Sequence, residues 1–220
     1  MIEPSSVQLF TGLRRSETGA ILAAAVRRTV EASQIIIRTN EHANRLFLVK
    51  TGSVDYYVLT EEGREILIRR LAPGDVFGVG AFLSEPTGYI GTAKAVCESE
   101  LLIWEHQVIQ RLAQSYPRLT ENALRTALRY LALYAKRHIG LVENTAQERL
   151  ACALSSLGSR TGHALPSGVE VDIKNQDLAS LADVSIFTAS RLLKDWERKG
   201  LVDKSRGKVL IRCPEKLLAA

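Results

Sequence analysis

Residues 175–201 read NQDLASLADVSIFTASRLLKDWERKGL, and this stretch decides how the rest is to be taken. Asn175 has the side chain of a helix cap and opens a short helix over 176–181. Ala182-Asp183-Val184 makes a tight turn, and Ser185 caps a second helix over 186–200. Leu178, Ala179, Val184, Ala189, Leu192, Leu193 and Trp196 recur at the spacing of inward positions in two crossed helices. Thr188, Ser190, Arg191 and Lys194 fall on or beside the outward face of the second. Short polar groups and cations near the start of such a helix suit base edges and phosphates. The next segment, Lys204-Ser205-Arg206-Gly207-Lys208, is a basic turn between Leu201-Val202 and Val209-Leu210-Ile211. It predicts a hairpin wing whose Lys204, Arg206 and Lys208 straddle a phosphate backbone.

Working outward, Val169-Glu170-Val171-Asp172-Ile173 alternates like a strand. Thr145-Ala146-Gln147-Glu148 is a capping box, in which the hydroxyl takes the amide three residues on and the carboxylate reaches back. One helix therefore ends near 143–144 and another begins. The helix before it, over 119–143, carries a heptad at Leu124, Leu131 and His138. The second seam position is either Ala127, Tyr134 and Leu141 or Leu128, Ala135 and Val142. One side is expected to pack on the preceding unit and the other on a second copy of the chain. The predicted seam is Leu124, Leu131, Tyr134 and His138.

Upstream the grammar is β. Gln34–Ile37, Arg45–Val49, Ser53–Val58 and Glu65–Ile68 are short β-branched or aromatic runs separated by turn residues. Pro73-Gly74-Asp75 is a further turn, and residues 92–96 and 100–104 supply closing strands. Residues 9–21 read as a short helix with Ser16 at its start. Glycines at 74, 78, 80, 88 and 91 mark backbone that bends sharply or approaches something closely. The expected architecture is α+β: residues 1–117 an antiparallel β unit that binds an effector, 118–144 a dimerisation helix and hinge, and 145–220 a winged helix-turn-helix.

The composition sets limits on this reading. The 220 residues are 46% hydrophobic and 24% charged, which is ordinary for a core-forming chain. Lys+Arg 29 against Asp+Glu 24 gives +5, an excess suited to a polyanionic partner. Residues 145–220 carry 12 basic and 9 acidic side chains. The longest apolar run, near 19–26, is far short of the ~20 residues a membrane span needs. The start of the chain lacks a secretory pattern, so no membrane partner and a cytoplasmic location are expected. Cys97, Cys152 and Cys213 have no ligand or disulfide spacing. No nucleophile triad, HExxH or phosphate-loop pattern is present, so the chain reads as a non-enzyme. The competing expectation is a small-molecule-binding β-barrel whose helical tail docks proteins rather than DNA.

The chain resembles bacterial transcription regulators of the cyclic AMP receptor protein / fumarate and nitrate reduction regulator (CRP/FNR) family over nearly its whole length. The match is carried by Leu9-Phe10-Thr11-Gly12-Leu13, the turn around Gly52 and Pro73-Gly74-Asp75-Val76-Phe77-Gly78. It continues through the long helix, Asp177-Leu178-Ala179 and Ser190-Arg191-Leu192-Leu193, to Gly200-Leu201-Val202. The resemblance implies a cyclic-nucleotide-binding-like β-roll, a dimerising helix and a winged helix-turn-helix on a pseudo-palindromic promoter, with RNA polymerase as a further partner. Arg191 matches the family's guanine-reading arginine, whose fork suits O6 and N7. Ser190 matches a readout serine of one branch, and Gln176, Thr188 and Lys194 match backbone-contacting positions. Ser185 joins this expected interface. Phe187 departs from the family's glutamate, so the resemblance does not fix the half-site.

The effector pocket departs further. The glutamate that meets a ribose hydroxyl in cyclic-nucleotide members is Val79 here, and the phosphate-binding arginine is Gly91, followed by Thr92-Ala93. The base-contacting position of the long helix matches Tyr134. An anion buried without a cation is costly, so cyclic nucleotides are not the expected effector. The candidate pocket comprises Gly78, Val79, Gly80, Tyr89, Gly91, Thr92 and Tyr134, and Phe77, Phe82 and Ile90 would make it apolar. The competing expectation is that Thr92, loop amides and an arginine from elsewhere, such as Arg70 or Arg129, rebuild a phosphate site, since backbone amides alone can cradle an anion. No cysteine precedes Cys97, against the cluster-binding branch. No cofactor is expected, while haem on His42, His106, His138 or Cys97, or another small effector, stays open.

Overall fold

The computed structural model describes residues 7–217. Two compact units divide it, residues 7–65 with 69–134 and residues 66–68 with 135–217.

The first unit is built on two four-stranded sheets. Its strands are β1 (Val26–Val30), β2 (Ile35–Ile37), β3 (Arg45–Thr51), β4 (Val54–Leu59), β5 (Glu65–Leu71), β6 (Val76–Phe77), β7 (Thr92–Ala95) and β8 (Ser99–Glu105). The sheet orders are β1-β8-β3-β6 and β2-β7-β4-β5. Strand β3 shows why its sequence is apolar without alternation. Leu46 and Leu48 join one buried cluster with Leu9, Phe10, Ile21, Trp104, Ile109 and Leu119. Phe47 and Val49 face the other, with Ile37, Val54, Phe77, Ala93, Leu101 and Ile103. A strand covered on both faces needs apolar side chains at every position. The Phe47 and Phe77 rings stack with centroids 4.7 Å apart.

Three features differ from expectation. The helix expected over 9–21 is a single turn at Gln8–Phe10 followed by α1 (Arg15–Ala23). Gly12 at φ +72° interrupts them, and Arg14, not Ser16, occupies the cap position, its amide donating to Glu17 at 2.8 Å. Strand β1 gave no alternation because four of its five residues are exposed. Its pairing with β8, Val26 opposite Ile103 through Val30 opposite Ser99, makes it a strand. Helix α2 (His106–Ser115) was hidden by its polar composition, with Ile109 its one fully buried residue.

Helix α3 runs over Pro117–Glu143. Its inner stripe is Leu119, Asn122, Ala123 and Thr126, which neither anticipated seam contained. The Asn122 amide donates to the carbonyls of Leu9 (2.9 Å) and Thr11 (2.8 Å), and Tyr130 Oη donates to that of Val76 (2.7 Å). A polar inner stripe escapes a search for apolar periodicity. The leucines that do show the heptad, Leu124, Leu128 and Leu131, are all exposed.

In the second unit α4 (Ala146–Thr161) starts as its capping box predicts: Thr145 Oγ1 accepts from the Glu148 amide, and Glu148 accepts from the Thr145 amide at 2.7 Å. Then follow β9 (His163–Leu165), β10 (Gly168–Asp172), α5 (Asn175–Leu181), α6 (Ile186–Arg198), β11 (Val202–Ser205), β12 (Lys208–Ile211) and α7 (Pro214–Leu217). The strands form one sheet in the order β11-β12-β10-β9. Lys174 rather than Asn175 takes the cap position of α5. Leu150, Leu154, Leu178, Leu193, Trp196, Val202 and Ile211 are buried. Among the described residues no helix is long and apolar enough to cross a membrane.

Candidate nucleic-acid interface and effector pocket

Helices α5 and α6 cross through a turn held by two arginines. Asp183 takes φ +51° there. Arg137 donates to both Asp183 carboxylate oxygens and to the Ser180 carbonyl. Arg149 donates to the Ala182 carbonyl at 3.1 Å. Sequence reasoning assigned neither arginine a role, since their partners lie more than 30 residues away. Of the anticipated inward positions, Leu178, Ala179, Ala189, Leu193 and Trp196 are buried, while Val184 and Leu192 are half-buried.

On α6 the Ser185 hydroxyl accepts from the Thr188 amide at 3.0 Å and lies 2.9 Å from the Thr188 hydroxyl. These two side chains are thus occupied in capping. Ser190 Oγ accepts from Asn175 Nδ2 at 3.0 Å, so Asn175 ties α5 to α6 instead of capping. Gln176, Phe187, Arg191 and Lys194 are exposed.

The wing is the β11–β12 hairpin, with Gly207 at φ +76°. Lys204 and Arg206 are exposed and, like Arg191 and Lys194, form no ion pair among the described residues. Lys208 differs: its ammonium lies 2.5 Å from Glu170 and 3.5 Å from Asp172 on β10. The hydrogen bond to Glu170, followed by the charge of Asp172, raises its pKa above the usual lysine value. Lys174 is a cation that sequence reasoning missed. It is exposed and follows Ile173, whose amide donates to the Gly207 carbonyl at 2.9 Å. A lysine adjoining a strand predicted to lead into the first helix was the available signal.

In the first unit the anticipated pocket residues divide between two packed clusters, although a Cβ at Gly78 would lie 3.4 Å from the Tyr89 ring. Val79 and Phe82 pack against the cluster around Trp104, whereas Phe77 and Tyr89 belong to the cluster between the sheets. Ile90 is 79% exposed. Tyr89 Oη bonds the backbone of Arg45, and Thr92 Oγ1 accepts from the Thr39 amide at 3.2 Å. Gly78 caps the short turn Val79–Phe82 at φ +78°, and Gly80 lies within that turn.

Gly91 is the decisive position. A Cβ there would lie 2.4 Å from the Tyr57 carbonyl oxygen and 2.7 Å from the Tyr56 ring. Tyr56 therefore occupies the space that a longer residue at 91 would need. Burial pushes the Tyr56 phenol up to about 12, against an opposing hydrogen bond to the Gly91 backbone. Sequence reasoning missed Tyr56. The register that sets Tyr56 opposite Ala93, two residues from Gly91, is visible only once β4 and β7 pair.

The two arginines considered for a rebuilt phosphate site differ in freedom. Arg70 is buried in a two-pronged pair with Asp55, at 2.7 and 2.8 Å. Arg129 is exposed and lies 5.7 Å from the centre of the Tyr130 ring. The nearer cation over that ring, at 4.3 Å, is Arg69, itself paired with buried Asp75 at 2.9 Å.

The long-helix seam residues Leu124, Leu131, Tyr134 and His138 are all exposed, with Leu131 at 64%. Of the haem candidates, His106 Nδ1 lies 2.9 Å from the Ala81 carbonyl, and His42, His138 and Cys97 are exposed. Among the described residues no cluster of three or more metal-ligating side chains occurs.

Comparison with known proteins bears on both units. The description "Cyclic nucleotide-binding domain" matches residues 27–116, and "Crp-like helix-turn-helix domain" matches residues 148–220. The CRP-like cAMP-activated global transcriptional regulator of Mycobacterium tuberculosis is 22% identical over 211 residues, covering 95% of this chain and 94% of that protein. Regulatory protein HlyX of Actinobacillus pleuropneumoniae is 23% identical, over 80% of this chain and 73% of its own. The c-di-GMP responsive global regulator CLP of Xanthomonas campestris shares the fold at TM-score 0.76 and 21% identity, covering 91% of this chain and 100% of its own. The helix-turn-helix match leaves the protein-docking alternative without support. With an effector-binding-type β unit, a long helix and a DNA-binding helix-turn-helix in this order, the chain belongs to the CRP/FNR family of transcription regulators.

Proposed function

We propose that the protein is a dimeric, sequence-specific promoter-binding regulator whose β unit does not respond to cyclic AMP or cyclic GMP. The observation that carries the DNA-binding part is the face of α6: Arg191 and Lys194 are exposed and form no ion pair among the described residues, opposite buried Ala189, Leu193 and Trp196. Arg191 reads guanine, Lys194, Gln176, Lys204 and Arg206 hold phosphates, and Ser190 lies beside the bases. Lys208, held by two carboxylates, contributes less. The partner copy docks on Leu124, Leu131, Tyr134 and His138, giving the two-fold arrangement that a pseudo-palindromic site requires. RNA polymerase is the further protein partner, in the cytoplasm.

Named relatives respond to cAMP or to c-di-GMP. Here the closed space at Gly91, the apolar Val79 and the internal pairing of Arg70 argue against a buried cyclic phosphate. The unit acts either constitutively or through a different small effector.

Duplex binding at two salt concentrations tests the reading, because phosphate contacts make affinity fall steeply with salt. Leu131→Asp buries an unpaired carboxylate at the proposed seam. Sedimentation is expected to show monomers, with affinity for a two-half-site duplex lost. A dimeric, DNA-competent variant overturns the seam. In calorimetry, micromolar heat with either cyclic nucleotide overturns the effector assignment.

A further inference from the structure

Phe187 is 83% exposed, on the second residue of α6. At about 100° per residue it lies about 180° from buried Trp196 and within about 40° of both Arg191 and Lys194. The phenyl ring thus belongs to the same stripe as the two unpaired cations, in the first turn, where a recognition helix meets base edges. Ser185, which starts the helix, keeps this turn ordered by accepting from the Thr188 amide. Neighbouring Ile186 is 44% exposed and extends the apolar tip.

Resting on the DNA-binding reading above, we propose that Phe187 is a specificity residue that reads the 5-methyl group of a thymine in the major groove. The chemistry follows from what each base pair offers there. A phenyl ring can neither accept from the cytosine amino group nor donate to guanine, but it can cover the thymine methyl, the one apolar feature of the groove. Cations on either side bring phosphate and guanine to the helix, so the ring is desolvated against DNA and not against another protein. Phe187 and Arg191 are separated by about 6 Å of helix rise, which places the thymine within one or two base pairs of the guanine.

The test uses the full chain and a duplex selected from random sequence at fixed salt. Each thymine of the half-site is replaced in turn by deoxyuridine, which removes only the methyl. One position is expected to lose about fourfold in affinity per half-site, the equivalent of one buried methyl-sized group. Phe187→Ala is expected to bind the unmodified duplex more weakly, to become indifferent to deoxyuridine there, and to keep the guanine preference and the salt slope. Because the ring is exposed, circular dichroism of Phe187→Ala should match the parent. Sequence-selective binding that ignores every thymine methyl, or a methyl effect undiminished in Phe187→Ala, overturns this assignment alone. Absence of any salt-sensitive, sequence-selective binding overturns it together with the reading it rests on.

Discussion

The interior of the β unit and the face of α6 with its wing use arginine in opposite ways. In the β unit Arg69 and Arg70 are buried, and each is matched to a buried aspartate of the same unit, Asp75 and Asp55. On the face of α6 and its wing, the side chains of Arg191, Arg206, Lys194 and Lys204 lie exposed with no ion pair among the described residues. Aromatic residues follow the same division. Tyr56 closes over Gly91 inside the β unit, while Phe187 stands in solvent on α6. A buried charge depends on its counter-charge within the fold, whereas an exposed cation stays available to the polyanionic partner proposed above.

The contrast breaks most visibly at Arg70. Removing one member of a buried pair leaves the other charge unpaired, so Arg70→Ala is expected to destabilise the β unit by about 3–5 kcal/mol in urea unfolding. Arg206→Ala should change stability by less than about 0.5 kcal/mol. Equal effects would erase the distinction. Next in size, Arg191→Ala is expected to cost about 1–3 kcal/mol on the selected duplex and to relax base choice at one position per half-site. An unchanged base preference, measured by competition with point-substituted duplexes, would remove Arg191 from readout.

The closed space at Gly91 gives a comparable but purely steric effect. Gly91→Arg restores the type of cation that cyclic-nucleotide members use, yet it collides with Tyr56 and the Tyr57 carbonyl. It is expected to lower stability by about 1–3 kcal/mol, as overpacking does, and to gain no cyclic AMP heat in calorimetry. A stable, nucleotide-binding variant would show that Tyr56 swings aside. The smallest effect sharpens the comparison within the wing itself. Lys204→Ala and Arg206→Ala should each flatten the salt slope by about one unit, and Lys208→Ala, already carboxylate-paired, by clearly less.

What the sequence made legible depended on how local each signal was. The capping box at Thr145 and Glu148, the Ser185 cap and the wing turn at Gly207 are written within a few residues, and all three appear as expected. The β unit was legible as short runs between turns. Its first strand was not, because Val26–Val30 is exposed along most of its length and owes its form to β8. Helix α3 was legible in length but not in its inner face, where Asn122 and Thr126 do the packing. The effector pocket was least legible. Val79 and Gly91 identified what it lacks, but only the β4–β7 register brings Tyr56 against Gly91. The cations of α6 and the wing were readable by position, whereas Glu170, which holds Lys208, lies 38 residues upstream.

One bond between α5 and α6 also sets a direction. Asn175 Nδ2 donates to Ser190 Oγ, so part of that oxygen's accepting capacity is satisfied from within the protein. The hydroxyl proton remains, and it is the natural thing for Ser190 to offer outward. Against a duplex, such a serine favours edges that present an acceptor, such as purine N7 or thymine O4, and gains less from the amino groups of cytosine and adenine. A hydroxyl that is chemically ambivalent in isolation thereby acquires a polarity from its neighbour.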